Sequence, residues 1–216
     1  MSFLGFLSIS IGFIGSFILK LGSLFLEIFV FIGYILTVLF TNLTFYKDTK
    51  SKANLVLICA IILGIIQFPF FILNLSQLYY IRVALDTPYT LLVFNWLAIS
   101  SYRVYKRLKS ENIQPWIRVR YKMIFIFSLI LSLNNIPEFF QPHGISWGDP
   151  TNTVSLMVFG AMATIVIIFS IGFSLAWFMP KSLKKFFNRN YTLEKEESLS
   201  EEELNSILKN QLSKNK

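Results

Sequence analysis

Cys59 is the only cysteine and His143 the only histidine among the 216 residues. The first excludes an internal disulfide and any cysteine-built metal site, and the second excludes sites that need two imidazoles. Charge is scarce as well. Only 15% of the residues are charged, where a soluble domain carries about 25%. There is no HExxH motif, no Ser–His pair inside an apolar run and no cluster of paired carboxylates. Without such a constellation the chain reads as a non-enzyme.

What the chain has instead is apolar surface. Hydrophobic residues make up 54% of it and aromatic residues 17%, more than a soluble fold can hide without leaving aggregating patches. These residues fall in runs long enough to cross a bilayer. The net charge of +8 and pI near 9.6 would suggest nucleic-acid binding in a soluble protein. Here the basic residues gather at the ends of apolar runs, where cytoplasmic membrane flanks carry them. The partner this implies is the lipid bilayer, with its anionic headgroups, and no nucleic acid.

Six runs follow one another. The first, Phe3 to Leu19, covers roughly 25 Å as a helix, enough for a short crossing. A cleaved signal peptide is the competing reading, but nothing basic precedes Lys20. The second, Leu21 to Tyr46, comes after a tight hairpin marked by Lys20 and Gly22. The third is Ala53 to Leu73, and the fourth extends from about Leu78 to Tyr102. The fifth, about Tyr121 to Ile136, is eroded at its end by Asn134, Asn135 and Pro137. The sixth, Thr153 to Met179, is stopped by Pro180. The expected fold is therefore an all-α integral membrane protein, a bundle of about six transmembrane helices, or five if residues 1–19 are not a span. Residues 1–190 form the transmembrane domain, and 191–216 form a polar cytoplasmic tail.

Charge placement orients this layout. With the N-terminus inside, the inner segments hold Lys47, Lys50, Lys52, Arg103, Lys106, Arg107, Lys109, Arg118, Arg120, Lys122, Lys181, Lys184, Lys185 and Arg189. The outer side holds Lys20 and Arg82. Lysine and arginine resist translocation, so both termini are expected in the cytoplasm, with a prokaryotic plasma membrane as the default location. Glu111 to Tyr121 mixes apolar and basic residues, and reads either as a short amphipathic piece on the membrane surface or as a solvated loop. In the tail, Ser200 and Glu203 form a capping box, and Leu204, Ile207, Leu208 and Leu212 share one face of a short amphipathic helix.

A charge at the bilayer centre costs about 2.5–3.5 kcal/mol, so each one within a run needs a reason. Arg82 and Asp86 lie four residues apart on one helical face and can pair. Pro88 follows and favours a kink, and Tyr89, Thr90 and Asn95 continue the polar stripe. The alternative is that Asp86 or Thr87 caps a shorter helix beginning at Pro88. That helix would reach only roughly 22 Å, so the long kinked form is preferred. Glu27 can reach Arg82 across the bundle or snorkel to the interface. The candidate polar site is thus Arg82, Asp86, Thr90, Asn95 and Glu27. The order Arg82, Asp86, Thr90 resembles one helix of microbial rhodopsins, whose retinal needs seven helices and a lysine in the last. Residues 153–179 contain no lysine, so a retinal protein is excluded and no cofactor is expected. Gln67, Asn74, Asn134 and Asn135 read as interhelical glue.

Gly160, Thr164, Gly172 and Ala176 recur at multiples of four in the sixth run and predict a close helix-packing seam, within the chain or against a second copy. The loop 138–152 holds Glu138, His143, Trp147 and Asp149 among turn-forming glycines and prolines. Turn chemistry explains these residues better than a metal site. The pattern as a whole predicts a non-enzymatic subunit, assembly factor or sensory component of a membrane complex that meets a protein partner through residues 200–212. The alternative is a small transporter or channel module with its polar site around Arg82 and Asp86.

Overall fold

The computed structural model describes residues 2–21, 23–46, 50–73, 78–111, 113–145 and 147–189, and among these there are helices but no strand. Seven α-helices follow in order: α1 Ser2–Phe13, α2 Ser23–Phe45, α3 Lys50–Leu73, α4 Tyr79–Leu108, α5 Pro115–Ser132, α6 Thr153–Trp177 and α7 Lys181–Phe187. A π-helical turn, Ile14–Ile18, continues α1, and a 3-10 turn, Pro137–Phe140, follows α5. The tail helix expected at 200–212 lies outside the described residues, as do Gly22, Lys47 and Asn74.

Among the described residues, four stretches are long and apolar enough to cross a membrane: Leu24–Phe45, Lys52–Phe70, Pro115–Phe140 and Thr153–Trp177. The sequence predicts six. The first run falls short because its α-helix ends at Phe13 and only the π turn prolongs it. The fourth, α4, has the length, at 30 residues, but Arg82, Asp86, Thr87, Thr90 and Asn95 dilute its apolar character. A helix enclosed by protein does not need a greasy surface all round. α4 is partly enclosed in this way: it packs on α2, α3 and α5 with Tyr89, Val93, Phe94 and Leu97 in the core, while Tyr80, Ile81, Ile99 and Tyr102 stay exposed.

α2, α3 and α5 pack on α4, and the remaining helices pack chiefly on these. α1 packs on α2, where Ser8 Oγ donates to the Phe29 carbonyl at 2.8 Å. Gly12 lets the two backbones approach closely, since a Cβ there would lie 2.8 Å from Phe29 Cβ. α6 packs on α5 and on the 3-10 turn. Its outward face, like that of α3, is a belt of exposed aliphatic side chains: Leu55, Ile58, Ile62 and Ile65 on α3, and Met157, Ile167 and Ile171 on α6.

Three sequence expectations are revised. α5 begins at Pro115, so residues 115–121 are the first turns of that helix and not a separate surface piece. Pro115 sits at its first position, where a missing N–H costs nothing. The basic stretch after Pro180 folds into α7, held on α5 by Lys184 over the Trp116 ring at 4.2 Å. The predicted seam on α6 divides in two. Gly172 and Ala176 are buried, and a Cβ on Gly172 would lie 2.2 Å from the Phe127 ring. Gly160 and Thr164 are exposed, and Gly160 has open space beside it. A row of every fourth residue winds about 40° around a helix per step. The two halves of the seam therefore face different ways.

Candidate polar site

Of the candidate residues, Arg82, Asp86 and Thr90 lie together at the end of the bundle where α3 stops and α4 starts. α4 stays helical through Pro88, as the long-helix reading requires. Pro88 has no N–H to give the Ala84 carbonyl, and one residue earlier Thr87 Oγ1 donates to the Val83 carbonyl at 2.8 Å. The unbroken helix keeps Arg82, Asp86 and Thr90 near one face, because four residues advance the helix by little more than one turn.

These residues find partners on other elements. Arg82 Nη2 donates to Glu138 Oε1 at 3.0 Å, and its guanidinium lies over the Tyr79 ring at 5.0 Å. The Tyr79 hydroxyl donates to the Glu138 carbonyl at 3.2 Å. Asp86 is held by amides: Gln67 Nε2 of α3 donates to Oδ1 at 3.2 Å, and Asn135 Nδ2 donates to Oδ2. Asn135 also donates to Thr90 Oγ1 at 3.0 Å, and the Thr90 hydroxyl bonds Tyr34 Oη of α2 at 3.1 Å. One network thus links α2, α3, α4 and the turn after α5. Thr90 at its centre is 0% exposed.

The ion pair expected between Arg82 and Asp86 is thus replaced by Arg82–Glu138, with Asp86 bonded to the two amides. Asn95 stays outside the network. It lies nine residues beyond Asp86, which puts it roughly half a turn around the helix on the opposite face. Glu27 lines a narrow cleft with Gly64, Gln67 and Tyr89 and does not form an ion pair with Arg82.

Sequence reasoning missed Tyr34 and gave Glu138 to the loop. A signal for Tyr34 was present: Glu27, Tyr34 and Thr41 recur every seven residues, close to two helical turns, and mark the polar stripe of α2. No local signal placed Glu138. It arrives because the helix ends at Ser132 and the chain tightens into the 3-10 turn.

The loop that follows is built by turn chemistry. Ser155 Oγ accepts from Gln141 Nε2 and Gly148 N, each at 3.0 Å, while Asn152 Oδ1 caps α6 through Ser155 N at 2.9 Å. Gly144 and Gly148 take positive φ values of 77° and 73°, which suit glycine. Glu138 is engaged by Arg82, Asp149 by Thr151, and His143 stacks on Tyr80. Among the described residues there is no group of three or more His, Cys, Asp or Glu that could hold a metal.

A second polar cluster lies toward the other end of α4. Trp96 Nε1 donates to Asn42 Oδ1 at 2.8 Å, and the Tyr46 and Trp96 rings stack at 4.6 Å. Tyr46 Oη accepts from Arg103 at 2.9 Å and from Ser100 at 3.1 Å. Comparison with protein-family models, curated proteins and solved structures gives no match for the chain. Its chemistry has to be argued from these contacts.

Proposed function

We propose that the chain is a non-enzymatic multi-pass integral membrane protein whose polar cluster handles a proton or small cation. The observation that carries this reading is a charge imbalance. Arg82 is spent on Glu138, while Asp86, held by the Gln67 and Asn135 amides, and Glu27, in the cleft beside Gln67, have no cationic partner among the described residues. In a low-dielectric setting three carboxylates and one arginine are costly unless protons or cations make up the difference. Such residues within membrane helices mark ion and proton pathways. The exposed aliphatic belts of α3 and α6 support insertion, because a soluble surface rarely carries patches of that extent.

In the proposed layout α1, prolonged by its π turn into a short crossing, spans the bilayer together with α2 to α6, and α4 is carried by its neighbours. Both termini are cytoplasmic, because the basic residues from Arg103 to Lys122 and from Lys181 to Arg189 share one side. The polar cluster then faces the outer side of a cell membrane, by default a prokaryotic plasma membrane.

A second reading is a subunit, assembly or sensory component that docks a partner through residues 200–212. It is favoured by the neutral amides on Asp86, since a carboxylate shared between α3, α4 and the turn after α5 also pins a bundle together. One pair of experiments separates the two. In vesicles holding the purified chain, Asp86→Asn should cut proton or cation flux by about tenfold or more, the order of effect expected from losing a positioned proton carrier. Deleting residues 200–216 should leave the flux intact. Flux that is indifferent to Asp86→Asn, with a partner lost on the deletion, selects the second reading.

A further inference from the structure

Of the three carboxylates in the cluster, two are accounted for. Glu138 is paired with Arg82, and Asp86 receives Gln67 and Asn135. Glu27 has neither a hydrogen-bond nor an ion-pair partner among the described residues, and it lines the cleft between α2, α3 and α4. Tyr89 lines the same cleft. Its side chain is 1% exposed, yet among the described residues its hydroxyl has no hydrogen-bond partner. A buried hydroxyl left unpaired costs free energy, so something polar is expected opposite it. Gln67, also in the wall, donates Nε2 to Asp86, and its amide oxygen Oε1 is an acceptor by chemistry.

We propose that this cleft binds one small monovalent cation of about sodium's size, coordinated by the Glu27 carboxylate, Gln67 Oε1 and Tyr89 Oη. The reasons are charge, donor type and size. One unpartnered carboxylate balances one positive charge. A hard divalent ion takes six or more oxygens at close range, usually from several carboxylates, and among the described residues no acidic group of three is close enough together. The donors are all oxygen, which suits an alkali cation. The cleft has room for about one water-sized species.

The walls restrict what enters. Phe31 and Phe68 meet edge to face at 5.4 Å on one side. Gly64 leaves space for the tyrosine, because a Cβ there would sit 3.1 Å from Tyr89 Oη and 2.2 Å from the Phe31 ring. A cation with a full hydration shell is too large, so entry requires the ion to exchange water for the three oxygens.

The inference rests on the cation-handling reading above and deepens it by naming the ion and its seat. The test is sodium binding to the purified full chain in lipid nanodiscs, measured by 23Na NMR relaxation with choline as the ionic-strength control. The wild type should bind one sodium saturably, and potassium more weakly. Glu27→Gln should weaken sodium binding by about a hundredfold, as removal of a buried charge partner does. Tyr89→Phe, which loses only the hydroxyl, should weaken it several-fold while keeping the ring packing. If Glu27→Gln fails to fold, the Tyr89→Phe result decides. No saturable sodium in the wild type, potassium bound as tightly as sodium, or either folded variant binding like the wild type overturns the proposal. If sodium fails to bind while the Asp86→Asn flux defect persists, this inference falls and the broader reading stands. Loss of the flux defect removes both.

Discussion

Arg82 and Glu138 meet at 3.0 Å although fifty-six residues separate them in the chain. Their contact ties the first turn of α4 to the 3-10 turn beyond α5. The side chains are 28% and 13% exposed, between the surface and the core regimes of ion pairing. Arg82→Gln or Glu138→Gln alone should lower stability by about 1–3 kcal/mol. The double substitution should cost less than the sum of the two. Unfolding in mixed detergent micelles, read as a double-mutant cycle, measures the coupling, and strict additivity would contradict the pair.

Asn135 is expected to matter more than its neighbour Asn134. The first donates to both Asp86 and Thr90, whereas the second reaches only Asn135 Oδ1 at 3.4 Å. Asn135→Ala should cost about 1–2 kcal/mol, the upper range for interhelical polar contacts in a membrane, and Asn134→Ala less than half of that. The same unfolding assay ranks them. Equal effects would argue against the network.

The two halves of the α6 seam should respond with opposite signs. Alanine at Gly160 meets open space and gains up to about 1 kcal/mol of helix propensity. Alanine at Gly172 meets the Phe127 ring and should destabilise by about 1–3 kcal/mol through overpacking. Thermal melts of the two variants in one detergent read the difference.

In the loop before α6, two hydrogen bonds from Thr151 hold the Asp149 carboxyl below the usual aspartate range. A lowered value means the charged form is favoured in the folded state. The turn is therefore supported at neutral pH and loses that support as pH falls through the lowered value. Thr151→Ala should move the Asp149 titration upward, which carboxyl carbon NMR can follow.

Orientation is open to direct labelling. In a Cys59→Ser background, a membrane-impermeant maleimide should reach His143→Cys in intact cells, and Ser110→Cys only after the membrane is opened. Equal labelling of both would overturn the proposed layout.

Much of this architecture was readable before any coordinates. Five of the apolar runs match helices within a few residues at most boundaries, because long apolar periods with Pro180 and Gly22 at their ends leave little else for the chain to do. α5 is the exception at its start: Pro115 initiates a helix through residues whose arginines masked the period. The polar site was legible on α4 and illegible elsewhere. Spacing of four places Arg82, Asp86 and Thr90 near one face, but which distant side chain meets each depends on helix rotation and on the turn after Ser132. Local pattern carries neither. The choice of Glu138 over Asp86 for Arg82 is a tertiary outcome.

The enclosure of α4 has a consequence for how the protein would tolerate change. Eleven of its residues are buried, against seven in α6. In a saturation library, Ile167 or Ile171 should accept almost any aliphatic replacement, because both are exposed and no packed wall constrains their shape. Val93 and Leu97 answer to fixed walls on several sides, so selection should leave them nearly invariant. The least hydrophobic of the long helices would then prove the least forgiving.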